Sequence, residues 1–408
     1  MKNIFPVLVV TLSVTMLACA DMAMSESAGS TNFTTLDQGL PNQDVGVALP
    51  DFGGNDTGLP RDAADFDQGP FPPPGLPRDA VFPAELLKDV PEYLVPAAVG
   101  AKAHLAISPT MAAWVNISPR GRELVTWELF GEAAPKTWTV PGLVNPRQLA
   151  VSQQWLVWVD VTHDPTGDLF ALNLQTGTSS LVVGVPGAQN KPALNGSVLV
   201  WQDCRACSTT TERPTPSIYR RDLNALPVEE ALVDDGLAHS LPVLGTLADE
   251  SVAVAWLVGT STIRVVGNEV DTSFPAQGSG VEGLALWQGT LAFRTQPAII
   301  NPDSMIPTDP WAIDVASGTQ TLLATDQNLS AGLPSKVVVA GDGFAWLDQD
   351  PADPSDIRVV VVGADASPIG SFAAPVATEI VGGGGWIGLV APLAVNADES
   401  DILVKAAP

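Results

Sequence analysis

Few residues in this 408-residue chain have types and spacing that could do chemistry. Cys204-Arg205-Ala206-Cys207 sets two thiols close together. A structural zinc would need two more ligands, and there is no second cysteine pair, since the third cysteine is Cys19. Thiol redox catalysis wants a strand-to-helix context that this stretch lacks. The reading that suits an oxidising compartment is a local disulfide between Cys204 and Cys207 that clips a loop. The densest run of oxygens is Asp348-Gln349-Asp350-Pro351-Ala352-Asp353-Pro354-Ser355-Asp356. Its carboxylates could start a calcium shell, but they lack the Asp-x-Asp-x-Asp-Gly order, and two prolines stiffen the run. The expectation is a solvated acidic loop, with Asp348, Asp350, Asp353 and Asp356 as the one calcium candidate and no other cofactor. His104, His163 and His239 stand apart from any Gly-x-Ser-x-Gly, His-Glu-x-x-His or phosphate-loop pattern. The run Gly382 to Gly385 precedes a strand rather than a helix, so it reads as a tight turn or a close backbone approach.

Composition narrows the classes. The formal net charge is −26, which repels phosphate backbones, so nucleic acid is not an expected partner. With 46% hydrophobic residues the chain can bury a sizeable core. Its 36 glycines and 36 prolines suit many short strands joined by turns.

The N-terminus reads as an export signal over residues 1–18. Lys2 supplies a positive start, and Ile4 to Met16 is almost wholly apolar but too short for a comfortable membrane span. Met16-Leu17-Ala18-Cys19 resembles the bacterial lipobox, with Met in place of the usual Leu. That resemblance implies lipidation of Cys19, and Ala20 in place of Asp implies sorting to the outer membrane. The expected location is the bacterial cell envelope, on the periplasmic side or at the surface. Residues 20–84 are rich in Gly, Pro, Asp, Asn and Gln, and Gly58-Leu59-Pro60-Arg61-Asp62-Ala63 recurs as Gly75-Leu76-Pro77-Arg78-Asp79-Ala80. Low hydrophobicity with like charge does not offset the entropy of ordering, so residues 19–84 are expected to form a lipidated, extended acidic tether.

Residues 85–408 repeat one pattern: a short strand, an apolar strand that often carries Trp, a polar loop, and two more strands. The clearest copy runs from Gln148 to Val183, with Trp155-Leu156-Val157-Trp158-Val159 as its second strand. The large residues of the second strands align as Trp114, Trp158, Trp201, Trp256, Phe293, Trp346 and Leu389, between 37 and 55 residues apart. Four strands per 40–50 residues is the period of a β-propeller blade. The expected fold is all-β, a propeller of seven four-stranded blades, with six and eight as the neighbouring counts. The last repeat is one strand short, and Glu92 to Pro96 could complete it from the other end. The tryptophans are expected to pack between blades.

The third-strand stretches Ile218-Tyr219-Arg220-Arg221-Asp222-Leu223 and Leu169-Phe170-Ala171-Leu172-Asn173-Leu174-Gln175-Thr176-Gly177 resemble the propellers of the Tol system and of the outer-membrane barrel-assembly machinery. The resemblance covers the repeat region and implies architecture, not activity.

In such a ring the second-to-third-strand loops share one face. Here they are expected to present Asp160, Asp164 and Asp168 with His163, then Asp303 and Asp309, then Asp348, Asp350, Asp353 and Asp356, then Asp398, Glu399 and Asp401. Arg120, Arg122, Arg205 and Arg213 would form a basic sector. The functional expectation is a monomeric, non-enzymatic binding scaffold for an envelope protein, peptide or glycan, held at the membrane by its lipid anchor. The alternative is a hydrolase or lyase acting on polysaccharide or a small molecule in the central channel, which would need carboxylates or histidines converging on the axis.

Overall fold

Short strands, the second of each blade buried on both faces, pair antiparallel with the next and build seven four-stranded sheets in a ring: a seven-bladed β-propeller. The computed structural model describes residues 92–94 and 101–407, apart from 119–120, 131–132, 162–164, 208–214, 278–279, 296–305, 308, 326, 330–335, 351, 375–376, 378 and 394–395. The expected signal segment, Cys19 and the tether lie outside these residues. Among the described residues no helix is long and apolar enough to cross a membrane.

Blades one to six span residues 101–138, 147–183, 189–233, 239–275, 281–322 and 338–373. Blade seven takes three strands from residues 379–406 and its outermost strand from Glu92–Leu94. Glu92 pairs with Lys405, Tyr93 with Val404 and Leu94 with Leu403. The ring thus closes as its sequence predicts, and the outer edge of the last blade is covered. A two-stranded pair joins Ile306–Pro307, from the blade-five hairpin, to Asn328–Leu329, from the connection into blade six.

Seven apolar clusters fill the seams between blades, one to each seam. The second-strand residue of each blade packs back onto the blade before it. Trp158 lies against blade one, Trp201 against blade two and Trp256 against blade three. Phe293, Trp346 and Leu389 continue the series, and Trp114 closes it against blade seven. All seven are almost completely buried.

The inner strands carry a device that the sequence did not announce. Four of them place a non-glycine residue in the left-handed region at the same point: His104 (φ 55°), Gln148 (φ 49°), Lys191 (φ 51°) and Leu241 (φ 53°). Each sits where the register against the second strand shifts, between Ala103 and Ala106, Arg147 and Ala150, Asn190 and Ala193, and Ser240 and Val243. A residue held there costs roughly 1–3 kcal/mol. A bulge re-aims the side chain at that position.

Candidate functional site

Inner strands begin, and second strands end, at the same end of the ring, where the second-to-third-strand hairpins also emerge. The expected acidic face is this end. Two residues beyond the seam tryptophan, three blades carry an aspartate: Asp160, Asp203 and Asp348. The expectation that Asp160, Asp168 and Asp348 stand on exposed loops is corrected: each is 1% exposed, Asp160 and Asp168 at strand ends and Asp348 within the strand Gly343–Asp350. Asp160 accepts the backbone N–H groups of Val144 and Asn145 at 3.2 and 3.4 Å, tying down the connection that enters blade two. Asp203 accepts the indole N–H of Trp201 at 2.8 Å. Asp348 is engaged by Arg358. These carboxylates organise the fold. A Trp-x-Asp spacing ending an apolar strand was the available signal.

Asp350, Asp353 and Asp356 remain on the blade-six hairpin, the last two exposed, with Asp350 paired in register opposite Asp353. Asp350 accepts the N–H of Ala352 at 2.7 Å. Among the described residues no three His, Cys, Asp or Glu side chains gather as a metal site. Asp398 and Asp401 belong to the blade-seven strand Asn396–Ala406. Asp164, His163, Asp303, Arg120 and Arg213 lie outside the described residues.

Cys204 and Cys207 are joined by a disulfide across the blade-three hairpin. Between them Arg205 bonds Asp203 and Glu229, each at 2.7 Å, and lies 4.1 Å above the Tyr219 ring. Burial disfavours its charge, but the two carboxylates more than offset this and hold its pKa above the ordinary value. The expected basic sector is therefore neutralised locally at Arg205.

Along the axis lies a cavity of about 440 Å³. All seven blades line it, from Ile107 in blade one to Gly384 in blade seven. Among the described residues its lining contains no Asp, Glu, His, Lys, Arg, Cys or Tyr. The hydroxyls of Ser108 and Ser152 serve the hairpin turns, receiving the N–H of Met111 and of Trp155 at 3.1 Å. The glycine run does make a close approach, as its sequence suggests: a Cβ on Gly383 would stand 2.6 Å from the carbonyl oxygen of Ile107. His239 is buried away from the axis lining, with Nδ1 accepting from Trp256 Nε1 at 3.1 Å and Nε2 2.8 Å from Asp235. A His–Asp pair exists, but an indole N–H occupies the place of a nucleophile.

Charge gathers instead at the hairpin end of the inner strands. His104 keeps solvent contact on blade one. Desolvation by surrounding atoms lowers its pKa most; Glu379 opposes this, and Arg122, Arg147 and Lys336 lower it further. Those groups come from blades seven, one, two and six. Lys336 pairs with Glu379 at 2.7 Å. Arg122 bonds the side chain of Asn145. Arg147 reaches the carbonyl of Thr166 at 3.4 Å, and its buried Nε makes no hydrogen bond among the described residues. This mouth was not legible from sequence, because its members are spread over residues 104–379.

No protein-family model matches the chain, and no curated protein matches it in sequence. Its fold is similar to solved propellers. TolB from Acinetobacter baumannii is 13% identical, with TM-score 0.41 over 73% of this chain and 64% of that one. A structure from work on two prolyl endopeptidases is 12% identical, with TM-score 0.50 over 75% of this chain and 50% of that one. The propeller domain of the Trilobed protease from Pyrococcus furiosus, described as having an open velcro topology, is 8% identical, with TM-score 0.49 over 75% of this chain and 95% of that one. The chain thus spans 64% and 50% of the first two. At these identities the likeness is one of fold.

Proposed function

We propose that this chain is a non-enzymatic binding propeller of the bacterial cell envelope. In this reading Cys19 carries the lipid anchor, residues 19–84 are the tether, and the hairpin end of the ring engages a protein, peptide or glycan partner. The observation that carries it is the chemistry of the axis. A hydrolase or lyase needs an acid, a base or a nucleophile facing its substrate. The axial lining has no such titratable side chain among the described residues, and its serines serve turns. The candidate acids are instead distributed around the ring. Asp160 and Asp348 act as buried acceptors, while Asp350, Asp353 and Asp356 sit on one hairpin, the last two exposed. Loops on a rigid scaffold suit recognition.

The test is crosslinking in intact envelopes followed by mass spectrometry, comparing the full chain with its Asp350→Asn, Asp353→Asn, Asp356→Asn triple variant. A partner enriched by the first and lost from the second is the expected result. Turnover of an envelope polysaccharide or peptide by the purified chain would overturn the reading.

A further inference from the structure

The chain is strongly acidic, yet around His104 three cations, Arg122, Arg147 and Lys336, stand against one anion, Glu379. Four consecutive blades, six, seven, one and two, supply these groups, so only the closed ring assembles them. His104 sits on its strained bulge and keeps solvent contact. The buried Arg147 Nε is a donor without an acceptor among the described residues. Such donors are costly to leave unpaired, and guanidinium groups suit carboxylate and phosphate oxygens. The charged groups stand earlier on the segments that go on to line the neutral cavity of about 440 Å³: His104 precedes Ile107 on Ala101–Ile107, Arg147 precedes Val151 on Arg147–Val151, Glu379 precedes Gly382 on Glu379–Gly383, and Lys336 precedes Val337.

We propose that the axial mouth formed by His104, Arg122, Arg147 and Lys336 binds the anionic group, carboxylate or phosphate, of a small ligand whose neutral part enters the axial cavity. This deepens the binding-propeller reading and rests on it. Long-range repulsion by the acidic surface is screened beyond about 8–10 Å at physiological salt, so the local cations decide the outcome.

The experiment is calorimetric titration of the full chain carrying Cys19→Ser with three probes: octanoate, inorganic phosphate and octylamine. Saturable binding of octanoate or phosphate, without binding of octylamine, is expected. Binding of octanoate alone identifies a carboxylate ligand with a neutral tail, and binding of phosphate alone identifies a phosphate group. Arg147→Gln and Lys336→Gln should each weaken the anion about tenfold, the loss of one charge-assisted hydrogen bond. Glu379→Gln should tighten it. With only three histidines in the chain, His104 can be followed by NMR, and a bound anion should raise its titration midpoint. Thermal melts identify a variant that fails to fold; should Arg147→Gln do so, Lys336→Gln and the His104 midpoint decide. Equal binding of octylamine, no saturable anion binding, or unchanged affinity in the folded variants overturns the proposal. Loss of this site with the crosslinked partner retained would sink the anion site and leave the binding-propeller reading standing.

Discussion

Arg358 brings two nitrogens to one oxygen of Asp348, Nε at 2.9 Å and Nη2 at 2.7 Å, across directly paired positions of the blade-six hairpin. The carboxylate is 2% exposed and the guanidinium 47% exposed, so the pair bridges interior and solvent. Removing the acid leaves Arg358 within reach of water, but it also takes from the fully buried Arg294 the carboxylate that most favours its charge. Asp348→Ala should cost about 3–5 kcal/mol in urea denaturation. Asp350→Asn, at the half-buried end of its strand, and Asp356→Asn, exposed on the returning strand, should each stay within about 0.5 kcal/mol. Equal effects at all three positions would contradict the division between structural and surface carboxylates.

Several exposed aspartates titrate low because they accept hydrogen bonds in the folded chain. Asp235 is lowered chiefly by His239, Asp271 by Arg264, Asp249 by the Ser251 hydroxyl, and Asp365 by the Ser367 hydroxyl. A depressed carboxyl pKa adds stability that is present above the unfolded value near 4 and is lost as pH falls through the folded value. His104, also depressed, acts in the same direction near pH 6.5, since the unfolded chain takes up its proton first. The urea midpoint should therefore decline in two steps on acidification, one below about pH 6.5 and a larger one below about pH 4. A midpoint unchanged down to pH 3 would contradict these assignments.

Blade seven borrows its outer strand from a segment that precedes blade one. Three residue pairs hold it, and each backbone hydrogen bond contributes about 1 kcal/mol net. Deleting residues 85–97 should lower stability by about 2–3 kcal/mol and expose the edge of Asn396–Ala406 to intermolecular pairing. Denaturation and light scattering of chains starting at 85 and at 98 would test both. Identical behaviour would mean that closure does not depend on Glu92–Leu94.

Trp114 lies in the seam between the last blade and the first, among Leu105, Val125, Trp386 and Val404. Trp114→Ala should cost about 3–5 kcal/mol. Trp346→Ala, in the seam between blades five and six, should cost about the same, because the two side chains do the same work in equivalent seams. A much smaller effect at Trp114, measured by denaturant midpoint at constant m-value, would mean the ring closes by strand pairing rather than by packing.

The blades were legible because large residues recur on the second strands from Trp114 to Leu389, and burial between sheets demands them there. The closing strand was legible because one repeat lacked a member and Glu92 to Pro96 had no other place to go. The strand-end aspartates were misplaced for a physical reason. A carboxylate after Trp-Val or Trp-Leu looks like the start of a polar loop, yet Asp160 is buried because backbone N–H groups from the preceding connection need an acceptor. The bulges were hidden for another reason. His104-Leu105-Ala106, Gln148-Leu149-Ala150, Lys191-Pro192-Ala193 and Leu241-Pro242-Val243 share a shape, but no glycine marks the left-handed residue. The mouth charges meet only once the ring is closed, which no local pattern records.

Linear repeat arrays fray, since their terminal units have one neighbour and need caps. Here every blade has two neighbours, because the series of backward-packed side chains returns through Trp114 to its own start. No blade is an end from which opening can spread at low cost. Amide protection in the seams should then be nearly level around the ring, dropping in the hairpins, and the slowest-exchanging protons should all report one shared opening event.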